Sequence, residues 1–489
     1  MTFRRKIIFI FILILIQGVV YSQNTTRLNG KLLTKQQALD DFNVLYTSLI
    51  NYHPNPFLYN TESNIKAFYE SQKSSLPAEL DELEFHFVCR QLISQLKCGH
   101  TYAKPSVAWY DSLKGKNIQL PFDIKNINGK LFINNTVDDT FDFGINDEIL
   151  SINNVTTESI LEKMSLMQER DGFTESFSNA LIEKRFRTYL LFLMGIQKEY
   201  VIEYKTSTGE VNKVTVQPTN KKLKDIKSVG LPADFIRITE NNWSTFSFDA
   251  SSNIAYLKIS SFSDRKEFKE YYKSVFKFLQ EKPNTKLIID FRDNTGGYFG
   301  NGNKFLTYLT PKKFDLSFQE PIKKKAKNDY IGLNKWSKWT KVAFSLKPSK
   351  QKVKGQSTTT LTYKPSNYLF DGKVFVITNG ITFSQAALVA AQLNELGAVF
   401  FGQETGGTEM GCNGILNYDL ILPNSELVVT IPVYHVKSNS NKGEFGYGVK
   451  PNYHIQPTLD NSKDYILNEV IKVIRDEEYK LPITRILNP

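Results

Sequence analysis

The stretch Lys286-Leu-Ile-Ile-Asp-Phe-Arg-Asp-Asn-Thr-Gly-Gly297 begins as an apolar run rich in β-branched residues and breaks into a polar turn with two glycines. The stretch Val374-Phe-Val-Ile-Thr-Asn-Gly-Ile-Thr-Phe-Ser384 repeats that pattern about ninety residues later. A buried strand that feeds an exposed loop at its carboxyl end has this pattern, and α/β folds place functional residues on such loops. We therefore expect two adjacent strand–loop units, with a helix from Ser384 to Leu396 that ends at Gly397.

The rest of the chain divides by its periodicity. Its 489 residues are too many for one core. Helical periodicity over residues 35–98 predicts a helical N-terminal domain, and strand-length runs over 118–218 predict a β-rich second domain with a helical insertion at 165–198. A βαβ pattern starts at Ile254. We therefore predict a mixed α/β multidomain protein whose parts are listed here: 23–110, the helical domain; 111–220, the β-rich domain; 221–475, the α/β core; and 476–489, a C-terminal tail.

Residues 1–22 have the pattern of a signal peptide. Arg4, Arg5 and Lys6 precede a mostly apolar stretch from Ile7 to Val20, and Val20 and Ser22 are smallish residues at the −3 and −1 positions of a cleavage site. The apolar stretch is shorter than the roughly 20 residues of a membrane-spanning helix. We expect cleavage, no stable membrane span afterwards, and a protein exported to the periplasm or secreted.

Charge and cysteine content exclude several classes. The formal net charge is +11, and eleven lysines lie between Lys323 and Lys354 against the single acid Asp329. For an exported protein we expect a solvated basic insertion or a contact with the envelope surface, and no nucleic-acid partner. Three cysteines without a CxxC motif indicate neither a disulfide framework nor a zinc site, and we expect no metal and no cofactor. Pairing of Cys98 with Cys412 stays open.

Ser384 stands where a strand, a turn and a helix meet. A serine at a helix start is usually an N-cap. The same position also brings free N–H groups and the positive end of the helix dipole next to Oγ, which suits a developing oxyanion.

Taken together, the D-x-R-x-N-x-G-G turn at Asp290–Gly297 and the T-F-S-x-A motif at Thr382–Ala386 resemble the tricorn-core and C-terminal-processing family of serine peptidases. That resemblance implies a core similar to ClpP and crotonase, with Ser384 as the nucleophile. It also implies an oxyanion hole formed by the backbone N–H of Gln385 and that of Gly296 or Gly297.

The branches of this family differ in the base. One branch uses a lysine in a T-x-G-K-G turn, but this chain has Thr408 at that position. The tricorn-like branch uses an early histidine, and Cys98-Gly-His100-Thr101 is similar to its motif, with Cys98 in place of the usual acid. A glutamate before a G-V-x-P-D turn completes the set, and Glu444 fits it, with Asn452 in place of Asp. The resemblance therefore implies His100 as general base and Glu444 as the orienting acid, with Glu404 and Glu409 as rivals.

Gly144 and the run Asn146-Asp-Glu-Ile-Leu-Ser-Ile-Asn-Asn-Val155 resemble the G-D-x-I-L-x-I-N-G turn of PDZ domains. Asn146 and Asn154 stand where the pattern has glycine, and asparagine also tolerates the backbone geometry of a turn. The resemblance implies a peptide or protein substrate, and whether this domain captures the C-terminus of that substrate stays open. We expect an exported serine peptidase, and the alternative is a non-catalytic binding protein on the same scaffold.

Overall fold

The computed structural model describes residues 29–476, except 226–228, 264–265, 322–327, 334–336, 340, 342–349, 354, 439, 441 and 461. The predicted signal peptide, residues 1–22, and all but the first residue of the predicted tail lie outside the described residues. No helix within the described part of the chain is long and apolar enough to cross a bilayer.

The N-terminal part is helical, as the periodicity predicts. Its elements are β1 (Leu32–Thr34), α1 (Lys35–Tyr52), α2 (Glu62–Ser75), β2 (Glu79–Asp81), α3 (Glu82–Ser94), β3 (Tyr102–Lys104) and α4 (Val107–Ser112). Capping boxes begin two of these helices, Thr34 with Gln37 at α1 and Asp81 with Glu84 at α3. These reciprocal bonds satisfy N–H groups that lack a partner within the helix. Because α3 ends at Ser94, the chain turns directly after it, and His100 lies in that turn.

A five-strand path with two helices follows. The elements are β4 (Phe122–Ile127), β5 (Lys130–Thr136), β6 (Glu148–Ile152), β7 (Val155–Thr156), α5 (Thr157–Leu166), α6 (Ser176–Met194), β8 (Tyr200–Lys205) and β9 (Val211–Val216). The sheet order is β4-β5-β6-β8-β9, with β7 paired to β6. Asn146 and Asn154 have φ of 72° and 62°, so both asparagines hold the left-handed turn geometry expected of the glycines that they replace. The helical insertion is α6, which packs against β4.

The remaining residues form the core. Its elements are β10 (Ile236–Asn241), β11 (Ser244–Asp249), β12 (Ile254–Ile259), α7 (Phe268–Gln280), β13 (Lys286–Asp290), α8 (Phe299–Leu306), β14 (Phe314–Pro321), β15 (Ile331–Leu333), β16 (Lys350–Val353), β17 (Gln356–Tyr363), β18 (Val374–Thr378), α9 (Gln385–Glu395), β19 (Val399–Gly402), β20 (Gly411–Ile421), β21 (Val428–Lys437), β22 (Tyr453–His454) and α10 (Tyr465–Arg475).

The first core sheet has the order β10-β11-β12-β13-β18-β19-β22, and its strands from β12 to β22 are parallel. Strands β13 and β18 are neighbours, with Leu287 opposite Val374 and Asp290 opposite Ile377. Because parallel neighbours end at the same edge, the turns after β13 and β18 lie side by side.

A second sheet, of order β15-β20-β21-β14-β17-β16, was not expected from the sequence. Part of it comes from β14 and β17, which lie on either side of the lysine-rich segment and pair antiparallel along eight residues each. Strand β3 of the helical part pairs with β21 of this sheet. One buried apolar cluster joins α1 and β21, with Phe42 and Leu45 on the helix and Val429 and Ile431 on the strand. The helical part therefore packs on the core on the side of His100.

Candidate active site

Ser384 lies at a strained backbone position directly before α9. Its φ of 53° and ψ of −124° lie where a residue with a Cβ is uncommon. Two bonds to the neighbouring turn hold it there: the Phe383 N–H donates to the Asn294 carbonyl at 3.0 Å, and Thr382 Oγ1 donates to the Phe291 carbonyl at 2.9 Å. The Ser384 side chain makes no capping bond to α9. The N-cap interpretation therefore does not hold, and Oγ is available for another partner.

That partner is His100. Its Nε2 lies 2.9 Å from Ser384 Oγ, across 284 residues of chain. The imidazole stacks on Phe383 with ring centroids 4.7 Å apart, and Phe383 stacks on Phe177 of α6 at 4.0 Å. Burial lowers the pKa of His100 to about 4, so the ring is neutral at neutral pH and can accept a proton through one nitrogen.

Asp171 faces the other nitrogen of this ring. Its Oδ2 lies 4.0 Å from His100 Nδ1, and its Oδ1 accepts the Gly99 N–H at 2.7 Å. The side chain is almost fully buried, and burial raises its pKa from 3.8 to about 7 against the lowering effect of the Gly99 bond. Within the described residues neither Nδ1 nor Oδ2 has a hydrogen-bond partner, and these two buried atoms lie next to each other.

The loop that carries Asp171 is anchored on both sides. Arg90 of α3 donates through Nη2 to Glu169 Oε2 at 2.7 Å and through Nε to the Met167 carbonyl at 3.0 Å, and this ion pair is buried. Beyond Asp171, the Gly172 N–H donates to the Lys97 carbonyl at 3.0 Å. These bonds tie the loop to the same helix end that positions His100.

Glu444, which the resemblance implied as the orienting acid, is not brought to His100. Its side chain is 62% exposed, and Oε2 accepts a bond from Lys450 Nζ at 2.8 Å. The loop around it does approach the Asp171 loop, since the Phe173 N–H donates to the Gly446 carbonyl at 2.7 Å. The rings of Phe445 and Tyr447 also contact the Phe173 ring, whereas the Glu444 carboxylate faces solvent.

The two rival glutamates are also engaged elsewhere. Glu404 Oε1 accepts the Gly448 N–H at 2.7 Å, and Glu409 Oε1 accepts bonds from Asn394 and Ser440 at 2.8 Å each. Each of these carboxylates has a local structural role in holding the loops after β19.

Asp171 was missed by the sequence reasoning. It lies in the run Glu169-Arg-Asp-Gly-Phe173, inside the stretch predicted as a helical insertion, and it has no motif around it. The Asp171-Gly172 pair was the available signal, because an Asp-Gly pair favours a turn. It would have predicted a loop that carries an acid at this point of the helical pattern.

The backbone N–H groups beside Ser384 differ in their use. The Gly296 N–H donates to Asn294 Oδ1 at 2.8 Å and is therefore occupied. In the described part of the chain, the N–H groups of Gly297 and Gln385 donate to no group. Gly296 has φ of 97°, and a Cβ on it would lie 2.8 Å from the Gln385 nitrogen, so only glycine lets the two turns approach this closely.

Cys98 and Cys412 are buried free thiols, and burial raises the pKa of Cys98 to about 12. In the ranges that the structure describes, no group of three or more His, Cys, Asp or Glu side chains is placed to hold a metal ion.

Comparison with known proteins agrees with this architecture. Residues 253–455 match peptidase family S41, and residues 116–224 match a PDZ domain. The core is thus similar to peptidase family S41 and is preceded by a segment similar to a PDZ domain, which supports a peptidase function. No curated protein has significant sequence similarity to the chain.

Solved structures of CPAF share the fold. A serine-to-alanine mutant of CPAF superposes with a TM-score of 0.65 at 12% identity, over 91% of this chain and 99% of that chain. Mature CPAF gives 0.63 at 14% identity over 92% and 99%, and mature CPAF complexed with lactacystin gives 0.63 at 13% over 91% and 99%. At these identities the similarity establishes a common fold spanning nearly the whole chain.

Proposed function

We propose that the protein is a serine-type peptidase that cleaves peptide bonds through an acyl-enzyme on Ser384. The observation that carries the proposal is the 2.9 Å approach of His100 Nε2 to Ser384 Oγ at the start of α9. A nucleophile and a base within hydrogen-bond reach, next to backbone donors at a helix start, form the arrangement required for acyl transfer. The S41 core and the PDZ domain support a peptide or protein substrate.

In the first half of the reaction, Ser384 Oγ attacks the peptide carbonyl while His100 Nε2 takes its proton. The carbonyl oxygen becomes negative and accepts hydrogen bonds from the N–H groups of Gln385 and Gly297. Gly296 is excluded as a donor because its N–H is held by Asn294. It contributes instead by allowing the two turns to approach.

The intermediate then collapses, and the amine leaves with the proton returned from Nε2. In the second half a water molecule loses its proton to His100 and attacks the acyl carbonyl, which frees Ser384. The Asp171 carboxylate, 4.0 Å from Nδ1, favours the Nδ1–H tautomer by its charge and stabilises the imidazolium that forms in each half. In this proposal Asp171 takes the role that the sequence resemblance gave to Glu444.

The place of action follows from the sequence. The predicted signal peptide at residues 1–22 supports export, so we propose that the peptidase acts in the periplasm or outside the cell.

The test is covalent labelling of the purified protein with a fluorophosphonate, which reacts with activated serines. We expect stoichiometric labelling that maps to Ser384 and disappears in Ser384→Ala, together with loss of peptide hydrolysis. The matched control is Ser274→Ala on α7, which removes a hydroxyl bonded to the Tyr271 carbonyl. Because the Ser384 hydroxyl caps nothing and is bonded to His100 Nε2, Ser384→Ala should lose only about 1 kcal/mol and unfold within a few degrees of the wild type. A folded wild-type protein that stays unlabelled would favour the non-catalytic binding protein.

A further inference from the structure

A pocket of about 310 Å³ opens beside Ser384. Gly297 and Gln385 line it, and their N–H groups donate to no group in the described part of the chain. Ser263, Ser384 and Gln385 give the pocket its polar side, and its apolar side is formed by Tyr298, Phe299, Leu388, Cys412, Ile415 and Val436. The residues that line the pocket in the described part of the chain include no Asp, Glu, Lys, Arg or His.

The position of the pocket identifies which half of a substrate it faces. His100 must protonate the leaving amine, so the leaving half of a peptide lies on the His100 side of Ser384. His100 does not line the pocket, whereas both oxyanion donors do. The pocket therefore lies on the acyl side, where the side chain of the residue that contributes the cleaved carbonyl is held.

One wall of the pocket is made by an irregular piece of β20. The pairing of β20 with β21 shifts register between Gly414 and Asn417. Ile415 and Leu416 have φ of 51° and 55°, and a β-branched residue in this left-handed region is a backbone outlier. Such outliers persist where the surrounding structure enforces them, often at functional sites.

The bulge has a direct effect on the pocket. Successive residues of a regular strand point to opposite faces, but here Gly414 and Ile415 both line the pocket, and Leu416 turns into the buried core. Gly414 leaves room for the base, since a Cβ there would lie 3.4 Å from His100 Nε2. The bulge thus adds the Ile415 side chain to the wall.

Resting on the proposed function, we propose that this pocket receives the side chain of the acyl-side residue, that it selects uncharged apolar side chains, and that Ile415 sets this preference. A charged side chain would lose its hydration there and find no charged partner, and contact with apolar side chains does not offset that cost. An apolar side chain instead gains free energy, because its surface leaves water and contacts the apolar side of the pocket.

The experiment uses fluorogenic peptides that are identical except for the acyl-side residue, which is Leu, Phe, Lys or Glu. For the wild type we expect kcat/KM to be about 100-fold higher for Leu than for Lys or Glu. Ile415→Asp places a carboxylate in the wall, and Asp tolerates left-handed backbone geometry. This variant should raise the Lys-to-Leu ratio by at least about 10-fold. The control is Ile421→Asp at the exposed end of the same strand, which should leave the ratio unchanged.

Fluorophosphonate labelling of Ser384 distinguishes a failure of the pocket assignment from a failure of the proposed function. If the wild type is labelled but cleaves Lys and Leu peptides equally, or if labelled Ile415→Asp keeps the wild-type ratio, the pocket assignment is overturned while the proposed function stands. If Ile415→Asp fails to fold, Leu388→Ala replaces it, because it widens the same pocket one helical turn from Ser384. We then expect the Phe-to-Leu ratio to rise about 10-fold, and an unchanged ratio would overturn the assignment.

Discussion

Replacing Asp171 by asparagine removes one charge from the site while keeping the size of the side chain. The buried carboxylate lies 4.0 Å from His100 Nδ1 and also accepts the Gly99 N–H. The amide oxygen of the substituted side chain can keep the Gly99 bond, so we expect the loop to stay in place. What is lost is the negative charge opposite the imidazolium.

The size of the effect follows from the distance. Two unit charges 4.0 Å apart attract by about 4 kcal/mol at the effective dielectric constant of about 20 that suits such sites. This attraction is absent while His100 is neutral and present when the imidazolium forms, so it lowers the barrier and not the ground state. We expect Asp171→Asn to lower kcat by about 10³-fold, with KM changed little.

The pH profile gives a second readout that a purely structural role would not move. In the wild type the active form needs neutral His100 and ionised Asp171. Since burial raises the pKa of Asp171 to about 7, kcat/KM should fall as the pH drops through about 7. In Asp171→Asn the remaining group is His100, whose pKa is lowered to about 4, so the acid limb should move down towards pH 4.

The matched control is Glu444→Gln, the same carboxylate-to-amide change at the position that the sequence resemblance favours. Its side chain pairs with Lys450 in solvent, so we expect kcat within about twofold of the wild type. The opposite pattern, with Glu444→Gln inactive and Asp171→Asn nearly as fast as wild type, would refute the assignment of Asp171.

Two further predictions concern stability and backbone geometry. Burial raises the pKa of Asp171 from 3.8 to about 7 in the folded protein. Below pH 3.8 the side chain is protonated in both states and its contribution to stability is complete. As the pH rises from 3.8 to about 7, this contribution falls by on the order of 4 kcal/mol, because only the unfolded chain ionises freely. Asp171→Asn should therefore unfold at a higher temperature than wild type at pH 8 and at a similar one at pH 3.5, and equal midpoints at pH 8 would contradict this. Gly296→Ala should lower kcat/KM by about 10²-fold or more, because its Cβ would meet Ser384 Cβ at 2.9 Å and displace an oxyanion donor. The control is Gly332→Ala, where a Cβ meets no atom within 4 Å, and equal rates for the two alanine variants would contradict the prediction.

The parts of the site that local sequence determines were predictable. The Asp290–Gly297 turn and the Ser384 turn each follow an apolar strand, and the two strands are neighbours in the sheet. Short-range geometry fixes the polar turn residues, so the turns could be predicted locally. The roles proposed for their residues came from the resemblance of the two motifs to a peptidase family. The approach of His100 to Ser384 was inferred from motifs, since its 284-residue separation carries no local signal.

The acid could not be predicted in the same way. Asp171 reaches His100 because Arg90 holds the loop through Glu169 and Met167, and these are tertiary contacts without a periodic pattern. The second sheet was missed for a different reason. Strand β17 is built from Ser and Thr, whose polar character masks the alternation of a strand, although Thr is β-branched and suits one.

The order of the three site residues along the chain has a consequence for biosynthesis. His100 and Asp171 are made first, in the helical part and in the loop before α6, and Ser384 is added after most of the core. Phe383 stacks on His100, and Gly446 bonds to the loop that carries Asp171, so these two side chains reach their places only with the core that carries Ser384. A nascent or prematurely terminated chain that ends before Ser384 is then inert towards its surroundings. In the proposed reaction, this linear arrangement delays proteolytic competence until Ser384 and the core around it have been made.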